Sequence, residues 1–252
     1  MGFVVIHHRC AALEWNPPHF AVLVFAVEHK RGEEVIDIGI ARLCQIAIQR
    51  LKQQVNGEPG SNIGTLPRQA GIARPVSADA WSDGCGWPES FSFTVPNTAR
   101  SGVYAAKCTD ISGESTYICF VVKPKASPRG QIAVLANTNT WCSYNDFGGR
   151  SKYSVPAGGV LSFERPNPAV TPLETNSIDH LLRAELWMLN WLEDEGYKFD
   201  VYSDLDFHKG VSNFKKYKAL VISTHPEYWT AAMMDNLEAY IAAGGTVLYL
   251  GG

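Results

Sequence analysis

The chain has 252 residues, a formal net charge of −3, 46% hydrophobic and 19% charged residues, which is enough apolar material for a sizeable core. The charge balance, with no basic stripe, argues against nucleic acid and anionic membrane as partners, and no apolar run reaches the ~18 residues of a membrane helix. Six cysteines lack C-x-x-C or zinc-like spacing and read as free thiols, and the brief apolar run of MGFVVIHHRCAALEW reads as a poor signal peptide, so a cytoplasmic location is expected.

Residues 1–75 form a poorly defined N-terminal region. Within it VIDIGIARLCQIAIQRLKQQV (35–55) has apolar residues at 38, 40, 44, 46, 47 and 51, a spacing that predicts an amphipathic helix. NGEPGSNIGTLPRQAGIARP (56–75), rich in Gly and Pro, reads as loop or linker. From 76 to 126 the texture is β-rich: FSFTV, GVYAAKCT and TYICFVV are short, aromatic and β-branched, separated by turn material, as in a small β-sandwich.

KPKASPRG (123–130) marks a boundary, and 127–252 reads as an α/β domain. QIAVLA is continuously apolar, as a strand covered on both faces would be. SIDHLLRAELWMLNWLEDEGY (177–197) predicts a helix capped by Ser177 and Gly196. Strands at 199–204, 219–223 and 246–252, with a helix at 231–243, complete an alternating pattern that implies a parallel sheet. The chain ends at LGG straight after an apolar strand, which predicts an unfinished sheet and a truncated product.

Polar and aromatic chemistry collects after three of these strands, in NTNTWCSYNDFGGRS (137–151), STHPEYW (223–229) and SDLDFH (203–208), and carboxyl-end loops converge in such a sheet. There is no G-x-S-x-G elbow and no phosphate loop, and Gly84-Cys85-Gly86 follows no apolar strand. What remains is an oxygen and imidazole set: Tyr104, Tyr144, Asp146, His225 and Glu227. Residue types alone leave it open whether these bind a metal. Taken singly, Tyr104 reads as a packed strand tyrosine and Glu227 as a helix-start carboxylate favoured by the dipole.

TNTWCSYNDFGGRSKY, VLSFERP, WLEDEGYKFDVYSDLDFH, YKALVISTHPEYWT and LEAYIAAGGTVLYLGG, in that order, resemble the large (β) subunit of N,N-dimethylformamidase and its relatives. WPESFSFTVPNTARSGVYAAKCT resembles the same family's lead-in, so the resemblance runs from about Trp81 to Gly252, and residues 1–75 fall outside it.

It implies hydrolysis of dimethylformamide to dimethylamine and formate by one non-haem, mononuclear iron, Fe³⁺, held by Tyr104, Tyr144 and Glu227, with His225 beside it as a catalytic group. Phenolates are hard donors suited to such an ion, which acts as Lewis acid and activator of water. The same resemblance implies a fold like class I glutamine amidotransferases, a small amide substrate, a small partner subunit and a homo-oligomer. It also implies a strand tip in which Asn139, Trp141 and Asn145 shape the substrate pocket and Gly148-Gly149 allow close backbone approach. The family continues past the final glycines into further active-site residues, so weak activity or none is expected of this chain alone. Two other readings remain: a metal-free or non-catalytic small-molecule-binding member of the fold, and an unstable fragment in which Tyr104 and Glu227 only pack and cap.

Overall fold

The computed structural model describes residues 3–5, 19–22, 25–27, 43–51, 61–70, 74–88, 91–125, 128–154, 159–173 and 179–251. In chain order the elements are β1 (Phe3–Val5), β2 (His19–Val22), β3 (Phe25–Val27), β4 (Leu43–Arg50), β5 (Ser61–Ala70), α1 (Ala80–Asp83), β6 (Phe91–Thr94), β7 (Gly102–Thr109) and β8 (Ser115–Val122). They continue with β9 (Ile132–Ala136), α2 (Thr138–Tyr144), α3 (Leu182–Asp194), β10 (Phe199–Ser203), α4 (Asp204–His208), β11 (Ala219–Thr224), α5 (Ala231–Ala242) and β12 (Thr246–Gly251).

The expected helix over 35–55 is corrected where it is described: residues 43–50 are a strand. Gln45, Ala47 and Gln49 are half-buried while Ile46, Ile48 and Arg50 are buried, an alternation of period two that the helical spacing had obscured. The β4 strand pairs antiparallel with β5 and with β7, giving a four-stranded sheet in the order β5-β4-β7-β8. Strands of the first 75 residues therefore form half of the sheet that the 76–126 segment was expected to build. The remaining short strands pair antiparallel, β1 with β3 and β2 with β6.

After Val122 the architecture changes to a parallel sheet in the order β10-β9-β11-β12. Each inner strand is apolar on both faces because both are covered. Val134, Ala136, Val201 and Val221 pack with Leu182, Leu186, Leu189 and Leu192 of α3. Their strand neighbours Ala133, Leu135, Tyr202, Leu220 and Ile222 pack with Phe207, Phe214, Met233 and Tyr240 on the other side. The α3 helix starts at Leu182, and Ser177, its expected cap, lies outside the described residues. It ends as expected at Gly196, whose φ of 77° closes a Schellman turn through Gly196 N–H to Glu193 O and Tyr197 N–H to Leu192 O.

The two sheets share one core. Val103 and Ala105 of β7, with Tyr117 and Cys119 of β8, pack on the α3 side of the parallel sheet. Ser101 covers the β10 edge, its hydroxyl accepting from Val201 N–H at 2.6 Å and donating to Val201 O at 3.0 Å. Arg50 of β4 pairs with Glu193 of α3 at 2.5 Å. Among the described residues no helix is long and apolar enough to cross a membrane.

Candidate active site

The parallel sheet reverses its winding direction around β9: β10 lies on one side of it, β11 and β12 on the other. The crevice at the carboxyl ends of β9 and β11 is where open α/β sheets hold ligands. Both polar stretches singled out in the sequence, 137–151 and 223–229, start from those two strand ends.

The first stretch opens as a short helix, α2, rather than as a loop. A seven-residue helix has little stability of its own, so its direction comes from its anchors. Asp204, at the end of β10, accepts from the Thr138 hydroxyl and from Asn139 N–H at 2.9 Å. Glu185 of α3 accepts from Asn137 and from Trp141 Nε1 at 2.9 Å. Arg165 is buried at the other end. Its guanidinium donates to the carbonyls of Phe147 (2.6 Å), Arg150 (2.8 Å), Ser162 (3.0 Å) and Cys142 (3.3 Å).

The second stretch begins at Thr224, whose φ of 63° puts a β-branched residue in the left-handed region, a strained conformation that the surroundings must enforce. Asn137 Nδ2 holds it by donating to Ser223 O at 2.8 Å and to Thr224 Oγ1 at 3.3 Å. At Gly251 a Cβ would stand 2.7 Å from Pro226 Cδ, so the strand beside this turn needs its glycine. Thr140 of α2 accepts from Glu227 N–H at 3.1 Å.

These supports bring four side chains together. The Tyr144 hydroxyl lies 2.9 Å from His225 Nε2, and that nitrogen lies 3.0 Å from Glu227 Oε2. The Tyr153 hydroxyl donates to Glu227 at 2.9 and 3.2 Å. The Tyr144 ring meets those of Tyr153 (5.0 Å), His180 (4.9 Å) and His225 (5.7 Å) edge to face. Burial alone would push the Glu227 carboxyl up, but hydroxyls from Tyr153 and Tyr144 and the His225 ring outweigh it and hold Glu227 below the usual range. Burial pushes both phenols up; for Tyr144 the Tyr153 hydroxyl opposes this and Glu227 adds to it, while for Tyr153 its neighbours all add to it. The cluster therefore pairs a stabilised carboxylate with phenols that keep their protons until a cation displaces them.

Glu227 is accordingly no helix-start residue: Thr230 caps α5, its hydroxyl accepting from Met233 N–H, while the Glu227 carboxylate faces His225 and Tyr153. Tyr104 is not brought to this cluster. On β7 the alternation sends Val103 and Ala105 toward α3 and Tyr104 to the opposite face, where it is fully buried, stacked on Phe120 and donating to Arg100 O at 2.6 Å.

The three expected pocket residues lie in the segment that follows β9, each with a partner in the fold. Asn139 Nδ2 donates to Tyr228 O at 3.3 Å, and Asn145 Nδ2 to Pro166 O at 2.7 Å. Trp141 is buried, with its indole N–H on Glu185. The Gly148-Gly149 turn approaches α1, since a Cβ on Gly148 would meet Trp81 N at 2.9 Å. Cys85 is a free thiol pushed up to about 11 by burial, which suits no nucleophile.

Tyr153, His180 and Tyr228 were not singled out in the sequence. Tyr153 ends the GGRSKY run nine positions after Tyr144, a signal that could have found it; His180 sits in an apolar helical run that reads as core. In the structure His180 Nε2 is buried without a hydrogen-bond partner, 4.9 Å ring to ring from His225, and burial and then His225 pull its pKa down. Tyr228 adjoins Tyr153 and Glu227: burial, opposed by Tyr153 and reinforced by Glu227, pushes its phenol up.

Among the described residues no three His, Cys, Asp or Glu side chains are grouped as a metal cage would need. Two phenols, a carboxylate and an imidazole within contact of one another are a hard donor set, and they fit a trivalent ion such as Fe³⁺ better than a soft one.

Residues 46–252 match the family model described as N,N-dimethylformamidase beta subunit-like, C-terminal. The match begins within β4, well before Trp81, where the motif resemblance had been placed. Two curated relatives, the N,N-dimethylformamidase beta subunits of Alcaligenes sp and of Paracoccus aminophilus, are each 28% identical over 207 residues. Each alignment covers 67% of this chain and 27% of the relative, so the chain spans about a quarter of the length of the proteins it matches. On the extent of the match to the family model, the chain belongs to the N,N-dimethylformamidase beta subunit-like, C-terminal family.

Proposed function

We propose that this chain carries the iron-binding α/β portion of an amidohydrolase that cleaves the C–N bond of a small amide, dimethylformamide being the reference substrate. The observation that carries the proposal is the convergence of Tyr144, Tyr153, His225 and Glu227 at the β9/β11 crevice in a chain of this family.

Tyr144 and Glu227 would hold the iron, and the geometry favours Tyr153 over Tyr104 as the second phenol. When bound, iron would supply a Lewis acid toward the amide carbonyl and toward water. His225 is the group placed to move protons: its Nε2 lies between the Tyr144 hydroxyl and Glu227 and can take a proton from water and return it to the departing amine. Thr140 and Asn137 keep the Glu227 backbone and the Thr224 turn in place while this happens.

The sheet order, with the first strand of the domain flanked by the second and third, supports a doubly wound fold of the class I glutamine amidotransferase kind. The relatives are named beta subunits, which supports assembly with a smaller subunit and into an oligomer. Among the described residues, Cys85, Cys108, Cys119 and Cys142 are free thiols, which suits the cytoplasm.

A second reading rests on the same contacts. Tyr144, Tyr153, His225 and Glu227 satisfy one another directly, as in a metal-free site that binds a small molecule without hydrolysing it. Iron content and the visible spectrum of the purified chain separate the two. Near-stoichiometric iron with a tyrosinate-to-iron band that Tyr144→Phe weakens and Glu227→Gln abolishes supports the hydrolase. A folded, colourless, iron-free protein rejects it.

A further inference from the structure

Glu185 is an ionisable residue on the apolar face of α3, between Leu182, Leu186 and Leu189, and it is only 3% exposed. A leucine would pack this helix without the cost of desolvating a carboxyl. The carboxyl is instead aimed by one oxygen at three donors: Asn137 N–H at 3.3 Å, Asn137 Nδ2 at 3.1 Å and Trp141 Nε1 at 2.9 Å. The same Asn137 amide reaches across the sheet to Ser223 O and Thr224 Oγ1. One carboxyl oxygen thus joins α3, the α2 that ends in Tyr144, and the strained turn that leads to His225 and Glu227.

We propose that Glu185, acting through Asn137, is a positioning residue for the site: it locks the direction of α2 to the turn after β11, so that the Tyr144 hydroxyl meets His225. The two arms of the site come from chain segments 81 residues apart, and α2 is too short to hold its own direction. Thr224 would relax its backbone if Asn137 let go, and His225 would swing with it. The proposal rests on this cluster being the functional site, but not on its holding iron.

The test uses the full chain labelled with ¹⁵N-histidine, with the His225 ring signals assigned by their loss in His225→Gln. Glu185→Leu and Asn137→Ala are expected to move the His225 Nε2 signal toward its position in Tyr144→Phe. Glu185→Gln, which keeps an accepting oxygen, should retain the wild-type position. Leu186→Ala, one residue along the same helix and fully buried, should lower stability and leave the signal in place. In a parallel ferric titration followed by the tyrosinate band, Glu185→Leu and Asn137→Ala should weaken binding about 10–100-fold. The proposal is overturned if Asn137→Ala and Glu185→Leu leave His225 at its wild-type position, or if Leu186→Ala moves it equally, since Glu185 would then contribute stability alone. Should the wild type take up no iron, the iron reading fails by itself and the histidine signals still decide the positioning role.

Discussion

The Tyr144 hydroxyl and His225 Nε2 lie 2.9 Å apart, although the two residues come from different strand ends of the parallel sheet. Their meeting depends on β9 and β11 being neighbours, which is a property of strand order and not of either motif. Tyr104 shows the converse. Its motif suggests a ligand, yet strand alternation turns it away from the crevice.

That contrast gives a pair of expected outcomes. Tyr153→Phe should weaken the tyrosinate-to-iron band, because it removes the phenol proposed as second donor beside Glu227. Tyr104→Phe should leave the band intact and cost about 1 kcal/mol of stability, the worth of one buried hydrogen bond to Arg100 O. Absorbance of the two iron-loaded variants is the measurement. Loss of the band in Tyr104→Phe with retention in Tyr153→Phe would restore Tyr104 as the second ligand.

Arg165 is a second pressure point, since its guanidinium alone bridges Phe147, Arg150, Ser162 and Cys142. Lysine presents one compact head and cannot reach carbonyls arranged around a planar fork. Arg165→Lys should therefore leave buried carbonyls unpaired and lower stability by about 3–5 kcal/mol. Denaturant unfolding reads this directly, and a loss below about 1 kcal/mol would mean the loop finds other partners.

Gly148→Ala tests the turn between Tyr144 and Tyr153. The new methyl would sit 2.9 Å from Trp81 N and 3.0 Å from Ala80 Cβ, at a φ of 80°. Backbone strain and overpacking together should cost about 2–4 kcal/mol. Thermal unfolding should show this loss, and the iron band should weaken as the Tyr153 arm loosens. An unchanged midpoint would mean that α1 moves aside freely.

Much of the α/β half could be read from sequence because its signals are local. IAVLA, ALVIS and the 231–243 helix appear where periodicity puts them, and Gly196 ends α3 as its φ requires. The β4 strand was misread because LCQIAIQR satisfies both periods at once, and only pairing with β5 and β7 decides between them. The site was half legible. Tyr144, His225 and Glu227 stand in marked motifs, whereas Tyr153 and Glu185 matter only through partners 74 and 48 residues away in sequence. Asn139, Trp141 and Asn145, expected from the resemblance to shape the pocket, have partners in Tyr228 O, Glu185 and Pro166 O that no local pattern announces.

Two buried carboxyls behind α2 set a pH dependence of stability. Burial pushes Glu185 up to about 8 against the donors from Trp141 and Asn137, and pushes Asp204 up to about 7 against those of Thr138 and Asn139. Both folded values lie above the unfolded ones, 4.5 and 3.8. The folded state therefore binds more protons than the unfolded state between those limits, and stability must fall as pH rises through this window, by up to ~1.4 kcal/mol per pH unit per group. Glu185→Gln removes one contribution while keeping the accepting oxygen. Its stability relative to wild type should improve by about 2–4 kcal/mol between pH 5 and pH 8, with Asp204→Asn showing the same trend ending nearer pH 7. Unfolding free energies across that range check the sign. A Glu185→Gln profile parallel to wild type would mean that Glu185 is ionised in the fold, its three N–H donors outweighing burial.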